Sequence, residues 1–407
     1  MAEWKEYRLG EVLQSKGYIR GPFGSALKRG DMLDDGIPVY EQQHAIYNLR
    51  TFRFYISKEK YESMKRFTVQ NDDLIISCSG TVGRVSIIKD ADPKGIISQA
   101  LLLLRVNEKI IYPLYLKYYL QSKEGYNAIV SRSSGSVQVN ISKRNVIEQI
   151  PLHLPSVVTQ KQIIKILKSL DDKIEINRRI NANLEEQASA LFKSWFVDFE
   201  PFKDGKFIDS ELGKIPEGWK VISLNEILAI EKKSISPMKT PKAMFRHYSL
   251  PAFDIGKNPE KQLGQDILSN KFVLTDKTTL FSKLNPRIKR IWFVDHALEG
   301  SICSSEFIPY KAKDHRFDHF IFSVINSELF YDQAMSLVNG ATGSHQRFHP
   351  QDTLDFKIVF NEESAVKFDR LMCGILKRQT LNIEESQRLA IIRDTLLPKL
   401  MSGEITL

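Results

Sequence analysis

Loops that combine lysine or arginine with short polar side chains recur along this 407-residue chain. Lysine and arginine neutralise phosphates, whereas arginine, asparagine, glutamine, serine and threonine form hydrogen bonds with base edges. In the first half the candidate residues are Arg20, Lys28, Arg29, Gln42, Gln43, His44, Ser79, Thr81, Arg84, Arg132, Ser134, Ser136 and Gln138. In the second half they are Arg246, His247, Tyr248, Lys283, Asn285, Arg287, Lys289, Arg290, Thr342, Ser344, His345, Gln346 and Arg347. Any one of them could equally belong to a solvated loop, so the prediction of DNA contact depends on the sets taken together.

The charge balance agrees with a polyanionic partner. The formal net charge is +9 and the isoelectric point is about 9.1. Such a balance favours nucleic acid, although an unspecialised basic surface would give the same value.

Motifs for catalysis and metal binding are incomplete. Leu284–Arg287 begins like the Asn-Pro-Pro-aromatic motif of amino-methyltransferases, but it lacks the second proline and the aromatic residue that would stack on a flipped base. The pairs His315/His319 and His345/His349 have helical spacing, yet neither first histidine is followed by glutamate. The sequence therefore predicts no catalytic residue, no metal site and no cofactor of its own.

The loops belong to a sequence that repeats itself. Trp4–Leu13 returns as Trp219–Leu228, and Asn177 returns as Asn382. Three shorter echoes keep the same order: Asp73–Ile75 with Thr279–Phe281, Ile97–Gln99 with Cys303–Ser305, and Ser134–Ser136 with Thr342–Ser344. A constant order at a near-constant offset predicts a tandem duplication and a pseudo-twofold molecule, which suits a partner with two related half-sites.

Each half closes with a long pattern of apolar residues at steps of three and four, which is typical of a coiled-coil helix. The residues expected to pair the two helices are Leu167, Leu170, Ile174, Asn177, Asn181, Leu184, Leu191, Met372, Ile375, Asn382, Leu389 and Leu396. A globular unit lies between the helices, so an antiparallel pair is expected; two separate amphipathic helices, each docked on its own domain, are the alternative. A helix of ~36 residues spans about 54 Å, or roughly 16 base pairs of DNA as an upper limit.

These patterns predict an α+β protein with two tandem α/β recognition domains separated by two long helices that form an antiparallel coiled coil. The predicted ranges are a first domain at 1–156, a central spacer helix at 157–199, a connector at 200–218, a second domain at 219–363 and a C-terminal spacer helix at 364–407. No apolar run approaches the ~18 residues of a membrane span, and the first residues lack the blocks of a secretion signal. We therefore expect a cytoplasmic protein without membrane contact.

Four phrases point to a known family. Trp4–Leu13, Leu170–Ile174, Ser210–Trp219 and Leu396–Ile405 resemble segments of the specificity subunits of type I restriction-modification enzymes, and the resemblance covers essentially the whole chain.

The resemblance implies a non-catalytic subunit that recognises double-stranded DNA. Each recognition domain would read one half of a bipartite target, and the helices would set the gap and carry two methyltransferase subunits. Those subunits would bind S-adenosylmethionine and recruit motor-nuclease subunits. The alternatives are a self-contained DNA methyltransferase or nuclease, against which the incomplete motifs argue, and a scaffold protein that does not bind DNA.

Overall fold

The computed structural model describes residues 4–132, 140–337, 348–405 and 407. It divides into two compact units, the first formed by Met1–Ile176 with Glu385–Leu407 and the second by Asn177–Glu384. Each unit holds one α/β domain and about half of each of two long helices. The division therefore crosses both helices, whereas the sequence analysis assigned each helix to a segment of its own. Those segment boundaries stay predictions.

The first unit begins with strands and short helices and ends in the first long helix. Its elements are β1 (Lys5–Arg8), β2 (Leu13–Arg20), β3 (Ile37–Tyr40), α1 (Gln42–Ile46), β4 (Tyr55–Ile56), α2 (Lys58–Ser63), β5 (Leu74–Ser77), β6 (Val85–Ile87), β7 (Ile96–Ile97), β8 (Leu101–Val106), α3 (Pro113–Gln121), α4 (Lys123–Val130), α5 (Arg144–Ile147), β9 (Pro151–Leu154) and the start of α6 (Val157–Phe196).

The second unit follows the same plan and ends in the second long helix. Its elements are β10 (Phe207–Ser210), β11 (Gly213–Pro216), β12 (Lys220–Ser223), β13 (Leu228–Ile230), β14 (Ser234–Ile235), β15 (Met244–Tyr248), α7 (Leu250–Gly256), β16 (Glu260–Leu263), β17 (Lys271–Val273), β18 (Thr278–Ser282), β19 (Ile291–Val294), β20 (Ser301–Ser304), β21 (Phe307–Ala312), α8 (Asp318–Asn326), α9 (Glu328–Ser336), β22 (Lys357–Phe360) and the start of α10 (Glu362–Ser402).

Strand order shows the duplication directly. The four-stranded sheet of the first unit runs β2-β8-β5-β6, and that of the second runs β13-β21-β18-β19. Each unit also pairs an early strand with its last strand, β1 with β9 and β12 with β22. A parallel pair completes each plan, β3 with β7 and β15 with β20. The sequence echoes therefore mark equivalent strands, and the tandem prediction is confirmed at the level of topology.

The long helices contribute to the core of each domain. In the first unit, Leu167 and Leu400 belong to the same buried cluster as the sheet residues Leu74 and Leu104. In the second unit, the ring of Phe368 on α10 lies 5.2 Å from Phe196 on α6, and both belong to the buried cluster that includes α8. The removal of these apolar side chains from water holds each helix on its domain.

The helices also pair with each other in antiparallel fashion within each unit, as predicted. In the first unit, Arg393 Nη1 lies 2.6 Å from Asp171 Oδ1. In the second, Asn181 Nδ2 donates to Gln379 O at 3.1 Å, and Gln379 Nε2 donates back to Asn181 O at 3.1 Å. Asn382 Nδ2 donates to Asn181 Oδ1 at 2.7 Å. The helices thus pair with each other and also dock on their domains, so the paired interpretation is confirmed and the alternative of two separate helices is wrong.

The residues expected at the seam are withdrawn from solvent to different degrees. Leu167, Asn177, Met372 and Asn382 are buried, and Leu170, Ile174, Asn181, Leu184, Leu191, Ile375, Leu389 and Leu396 are partly buried. Buried amides in an apolar seam fix register because a shift would leave them unpaired.

The predicted connector contains structure of its own. Helix α6 ends before Phe199, whose backbone takes the left-handed conformation (φ 53°) and whose ring packs 5.5 Å from Trp219. The strands β10 and β11 then form an antiparallel hairpin. In the described part of the chain, no helix combines the length and hydrophobicity that a membrane crossing requires.

Candidate nucleic-acid interface

Four strand ends meet at one side of the first domain. Gly21 N–H, just after β2, donates to Leu101 O at 2.9 Å, and Cys78 N–H, just after β5, donates to Ala100 O at 2.9 Å. Ser98 N–H, just after β7, donates to Tyr40 O at the end of β3, at 2.8 Å. We call this surface edge 1 and define it as residues 20–24, 41–43, 78–84 and 98–100.

Edge 1 brings together several loops that the sequence singled out. Gln42 Nε2 donates to Ser79 O at 2.5 Å, which joins the segment after β3 to the segment after β5. Asn140 forms an isolated bridge with Ser79, so the chain beyond residue 139 returns to the same edge. Gln42, Gln43 and Ser79 are all partly exposed there. The predicted contacts Ser134, Ser136 and Gln138 lie outside the described residues.

The β5–β6 loop presents hydroxyl and guanidinium groups. Thr81 and Arg84 are exposed. Ser77 Oγ donates to Thr81 O at 2.5 Å and accepts from Arg84 N–H at 3.0 Å, which closes the loop from within. The Arg84 guanidinium lies 5.0 Å from the centre of the Tyr126 ring, at a cation–π distance. The loop therefore offers side chains whose backbone is already held in place.

Arg20 is the first residue of edge 1. It is the last residue of β2, it is half-buried, and its guanidinium lies 5.6 Å from the Phe23 ring. The guanidinium also contacts the buried Cys78 thiol, whose pKa burial raises to about 12. The thiol therefore stays protonated and gives Arg20 no counter-charge.

Three further cations of the first unit differ in their surroundings. Lys28 and Arg29 are exposed. The neighbouring Asp31 carboxylate accepts from Lys28 N–H at 2.7 Å, and this amide and the Lys60 ammonium lower its pKa. Arg132 is half-buried and donates from Nη1 to Ala128 O at 2.8 Å, so it satisfies a carbonyl at the end of α4. Lys28 and Arg29 thus fit a phosphate contact better than Arg132 does.

His44 was predicted to face DNA, and the structure contradicts this. Its side chain is 0% exposed. Its Nδ1 accepts from Glu41 N–H at 2.7 Å, and its Nε2 donates to Thr51 O at 3.0 Å, while the ring stacks 4.6 Å from Phe52. Burial lowers the pKa of His44, which favours the neutral ring, and its two nitrogens join the main chain at Glu41 and Thr51. The position of His44 directly after Gln42 and Gln43 in the sequence did not indicate that His44 is buried while they are partly exposed.

The second unit has an equivalent surface. Lys283 N–H, after β18, donates to Glu306 O at 2.9 Å, and Glu231 N–H, after β13, donates to Pro309 O at 2.9 Å. The Arg290 guanidinium binds both Asp254 carboxylate oxygens, at 2.7 and 2.9 Å, which joins the β18–β19 loop to α7. We call this surface edge 2 and define it as residues 231–233, 249–254, 283–290 and 304–306.

Edge 2 is more cationic than edge 1. Arg287 is exposed, and Lys283 and Asn285 are partly exposed. Burial and the charge of Lys283 lower the pKa of Lys232, so the two ammonium groups repel each other electrostatically. In the described residues, no carboxylate forms an ion pair with Lys232, Lys283 or Arg287. Lys232 was not predicted from the sequence, although it follows the echo of Trp4–Leu13 by four residues.

Two predicted contacts of this loop are engaged internally. Lys289 Nζ donates to Asn326 O at 2.8 Å and to Glu328 Oε1 at 2.7 Å. Arg290 forms the bidentate pair with Asp254. These contacts fasten the β18–β19 loop to α8 and α7, so both residues hold the loop in position rather than offering an uncompensated charge.

The predicted set Arg246, His247 and Tyr248 lies within strand β15, not in a loop. Tyr248 is 8% exposed and packs 4.6 Å from Trp292. His247 Nδ1 lies 2.8 Å from Gln262 Oε1, and burial lowers the pKa of His247. The strand pairing makes Tyr248 the counterpart of Tyr40, since each is the last residue of its strand, so the counterpart of Gln42 is Leu250. Tyr248 is a core residue, as Tyr40 is.

The remaining predicted contacts, Thr342, Ser344, His345, Gln346 and Arg347, lie outside the described residues. His319, one of the three described histidines of the two i,i+4 pairs, lies with Nδ1 3.0 Å from Asp369 Oδ2. Among residues 4–132, 140–337 and 348–405, no group of three or more histidine, cysteine, aspartate or glutamate side chains could hold a metal ion.

Comparison with known proteins gives a consistent result. The family model described as the type I restriction modification DNA specificity domain matches residues 1–186. The Type I restriction enzyme MjaIX specificity subunit of Methanocaldococcus jannaschii is 28% identical, over 72% of this chain and 68% of its own. The HindI specificity subunit of Haemophilus influenzae is 24% identical over the full length of both chains.

A solved structure shares the fold. The S subunit of a type I restriction-modification system from M. genitalium superposes with a TM-score of 0.55 at 14% identity, over 98% of this chain and 96% of its own. The family model covers the first 186 residues and the relatives extend over the rest, so the chain is similar to the specificity subunits of type I restriction-modification systems, and the solved structure adds that the fold is shared.

Proposed function

We propose that edge 1 and edge 2 each contact one half of a bipartite double-stranded DNA target. The observation that carries this proposal is that the same four strand ends meet at the same side of two domains of one topology, yet present different side chains. Edge 1 offers amides and hydroxyls around Arg20, whereas edge 2 offers lysines and Arg287. Equivalent positions with different hydrogen-bonding groups suit two different half-site sequences.

The cations of the two edges fit phosphate contact. Arg84 and Arg287 are exposed, and among the described residues no carboxylate forms an ion pair with Lys232 or Lys283. Each phosphate neutralised by such a side chain releases counterions and adds about 0.9 to the slope of log affinity against log salt. Binding to DNA should therefore weaken steeply as salt rises.

The long helices would set the gap between the half-sites and bind two methyltransferase subunits, which in turn recruit motor-nuclease subunits. The reciprocal amide bonds between Asn181 and Gln379 support the first role, because they oppose sliding of one helix along the other. The chain would bind no cofactor itself, and S-adenosylmethionine would be held by the methyltransferase subunits. A protein that acts on chromosomal DNA would work in the cytoplasm.

The test maps methylated adenines after the chain and its methyltransferase subunits are expressed together. Replacing residues 283–290 of edge 2 with a loop of another sequence should change one half-site and leave the other half and the gap unchanged. The matched variant replaces residues 78–84 of edge 1 and should change the opposite half-site. If either replacement altered both halves equally, or if both left the target intact, the assignment of one edge to one half-site would be wrong.

A further inference from the structure

We propose that Arg20 reads a guanine in the half-site bound by edge 1. This inference rests on the DNA-binding function proposed above and names the base that one side chain recognises. Guanine presents O6 and N7 as two acceptors in one plane of the major groove, and the guanidinium group is the side chain that matches both.

Packing restrains Arg20 at edge 1. Its guanidinium lies 5.6 Å from the Phe23 ring and also contacts the Cys78 thiol. Gly21 brings the chain close to the end of β7, where a Cβ would lie 1.9 Å from Ser98 O. Gly24 then takes the left-handed conformation (φ 62°). The 65% exposed ring of Phe23 is therefore presented on a short loop directly after the strand that carries Arg20.

The charge of Arg20 is uncompensated, unlike that of comparable arginines in this domain. Arg105 binds both oxygens of Asp73, at 2.8 and 2.7 Å, and Arg50 binds Asp92 at 2.7 Å. Within the described chain, no carboxylate pairs with Arg20, and its buried Nη1 has no hydrogen-bond partner. A buried guanidinium nitrogen without an acceptor is costly, so an incoming ligand that supplies an acceptor to Nη1 would offset that cost.

The surroundings favour a base over a phosphate. Exposed Lys28 and Arg29 follow in the same segment and can meet phosphates from solvent. Arg20 is instead half-buried and in contact with the Phe23 ring and the Cys78 thiol, which restricts the orientations of its guanidinium. A restricted orientation matters for the two coplanar acceptors of guanine and adds little at a phosphate, which accepts from many directions.

The experiment uses the full chain in complex with its methyltransferase subunits and DNA that carries the mapped target. Each guanine of the edge 1 half-site is replaced in turn by 7-deazaguanine, which keeps O6 and lacks the N7 acceptor. At one position, wild-type affinity should fall about 10- to 100-fold. Arg20→Gln should show a similar loss on unmodified DNA and no additional loss at that position on the 7-deaza duplex.

Arg29→Gln is the matched control from the same segment. It should weaken binding to all sequences alike and lower the salt slope by about one, because a phosphate contact carries no sequence information. Arg20→Lys keeps the charge but offers no planar pair of donors, so it should behave like Arg20→Gln. Thermal unfolding of both Arg20 variants checks that the domain remains folded.

Several results would overturn the inference. Arg20→Gln could weaken all sequences uniformly, Arg20→Lys could restore full activity, or no guanine position could show coupling to Arg20. In each case the wild-type complex would still recognise two half-sites, so the proposed function would stand and only the role of Arg20 would be wrong. If the wild-type complex lacked sequence-dependent binding, the proposed function itself would fail.

Discussion

Removing the Asp369 carboxylate should loosen edge 2 from a distance. Asp369 lies on α10 and is 7% exposed. Its Oδ1 accepts from His319 N–H at 2.7 Å and from Phe320 N–H at 2.9 Å, and its Oδ2 lies 3.0 Å from His319 Nδ1. These amides are at the start of α8. At the other end of α8, Asn326 O accepts from Lys289 of the edge 2 loop. The long helix thus holds α8, and α8 holds the loop.

The size of the effect follows from the groups left unpaired. Asp369→Ala leaves two main-chain N–H groups at a buried helix start without acceptors, and each such group costs about 1–3 kcal/mol. The loss of a helix cap alone costs about 0.5–2 kcal/mol. We expect about 3 kcal/mol for Asp369→Ala and about 1 kcal/mol for Asp369→Asn, which keeps one acceptor oxygen.

Amide hydrogen exchange measures this local stability in the intact chain. A loss of about 3 kcal/mol should speed exchange of the α8 amides roughly 100-fold, with little change in α3 of the first unit. Glu363→Ala is the matched control, since Glu363 is on the same helix but exposed, and it should leave α8 unchanged. The reasoning would be refuted if α8 exchanged at the wild-type rate in Asp369→Ala, or if the control had the same effect.

Four further predictions follow from other parts of the chain. Asn382→Ala should lower the free energy of unfolding of the second unit by about 1–3 kcal/mol, because Asn181 Oδ1 loses its donor. The control Lys377→Ala, at an exposed position of the same helix, should have no measurable effect in the same denaturant titration. At pH 8 a thiol reagent should modify Cys373 first, because burial raises the pKa of Cys78 and Cys303 to about 12; early modification of either buried thiol would contradict this. Burial lowers the pKa of His44 and His247 below the unfolded value, so the unfolded state binds more protons in acid. The melting temperature should therefore fall as pH drops below about 6.5, and His44→Gln should reduce that dependence. Lys232→Gln and Lys283→Gln should each lower the salt slope of DNA binding by about one, and an unchanged slope would exclude a phosphate contact.

The periodic features of this protein could be predicted from the sequence because they depend on local spacing. The apolar steps from Leu167 to Leu191 encode a long helix regardless of what surrounds it. The echo of Trp4–Leu13 at Trp219–Leu228 marks equivalent strands because both copies must pair with a late strand of their own domain. Fold class and duplication therefore followed from patterns within short windows.

The roles of single loop residues could not be predicted, because their partners are distant in sequence. Lys289 is bound by Glu328, 39 positions later, and Arg290 by Asp254, 36 positions earlier. His44 resembled a reading residue because it follows Gln42 and Gln43, but the helical turn of α1 directs it into the core. An α-helix turns by about 100° per residue, so adjacent polar residues do not share a face.

The two edges also differ in the contacts that hold their loops in place. In edge 1 the loop after β5 is held by the Ser77 hydroxyl and the Gln42 amide, which bind main-chain atoms of the loop. Its exposed side chains can therefore change while the loop keeps its conformation. In edge 2 the loop after β18 is fastened by the charged side chains Lys289 and Arg290. A substitution at these two positions would alter loop geometry and the readout of every neighbouring base, whereas a substitution at Arg287 would alter one contact. New specificity should therefore be sought at exposed polar positions of these loops such as Thr81, with the fastening residues kept unchanged.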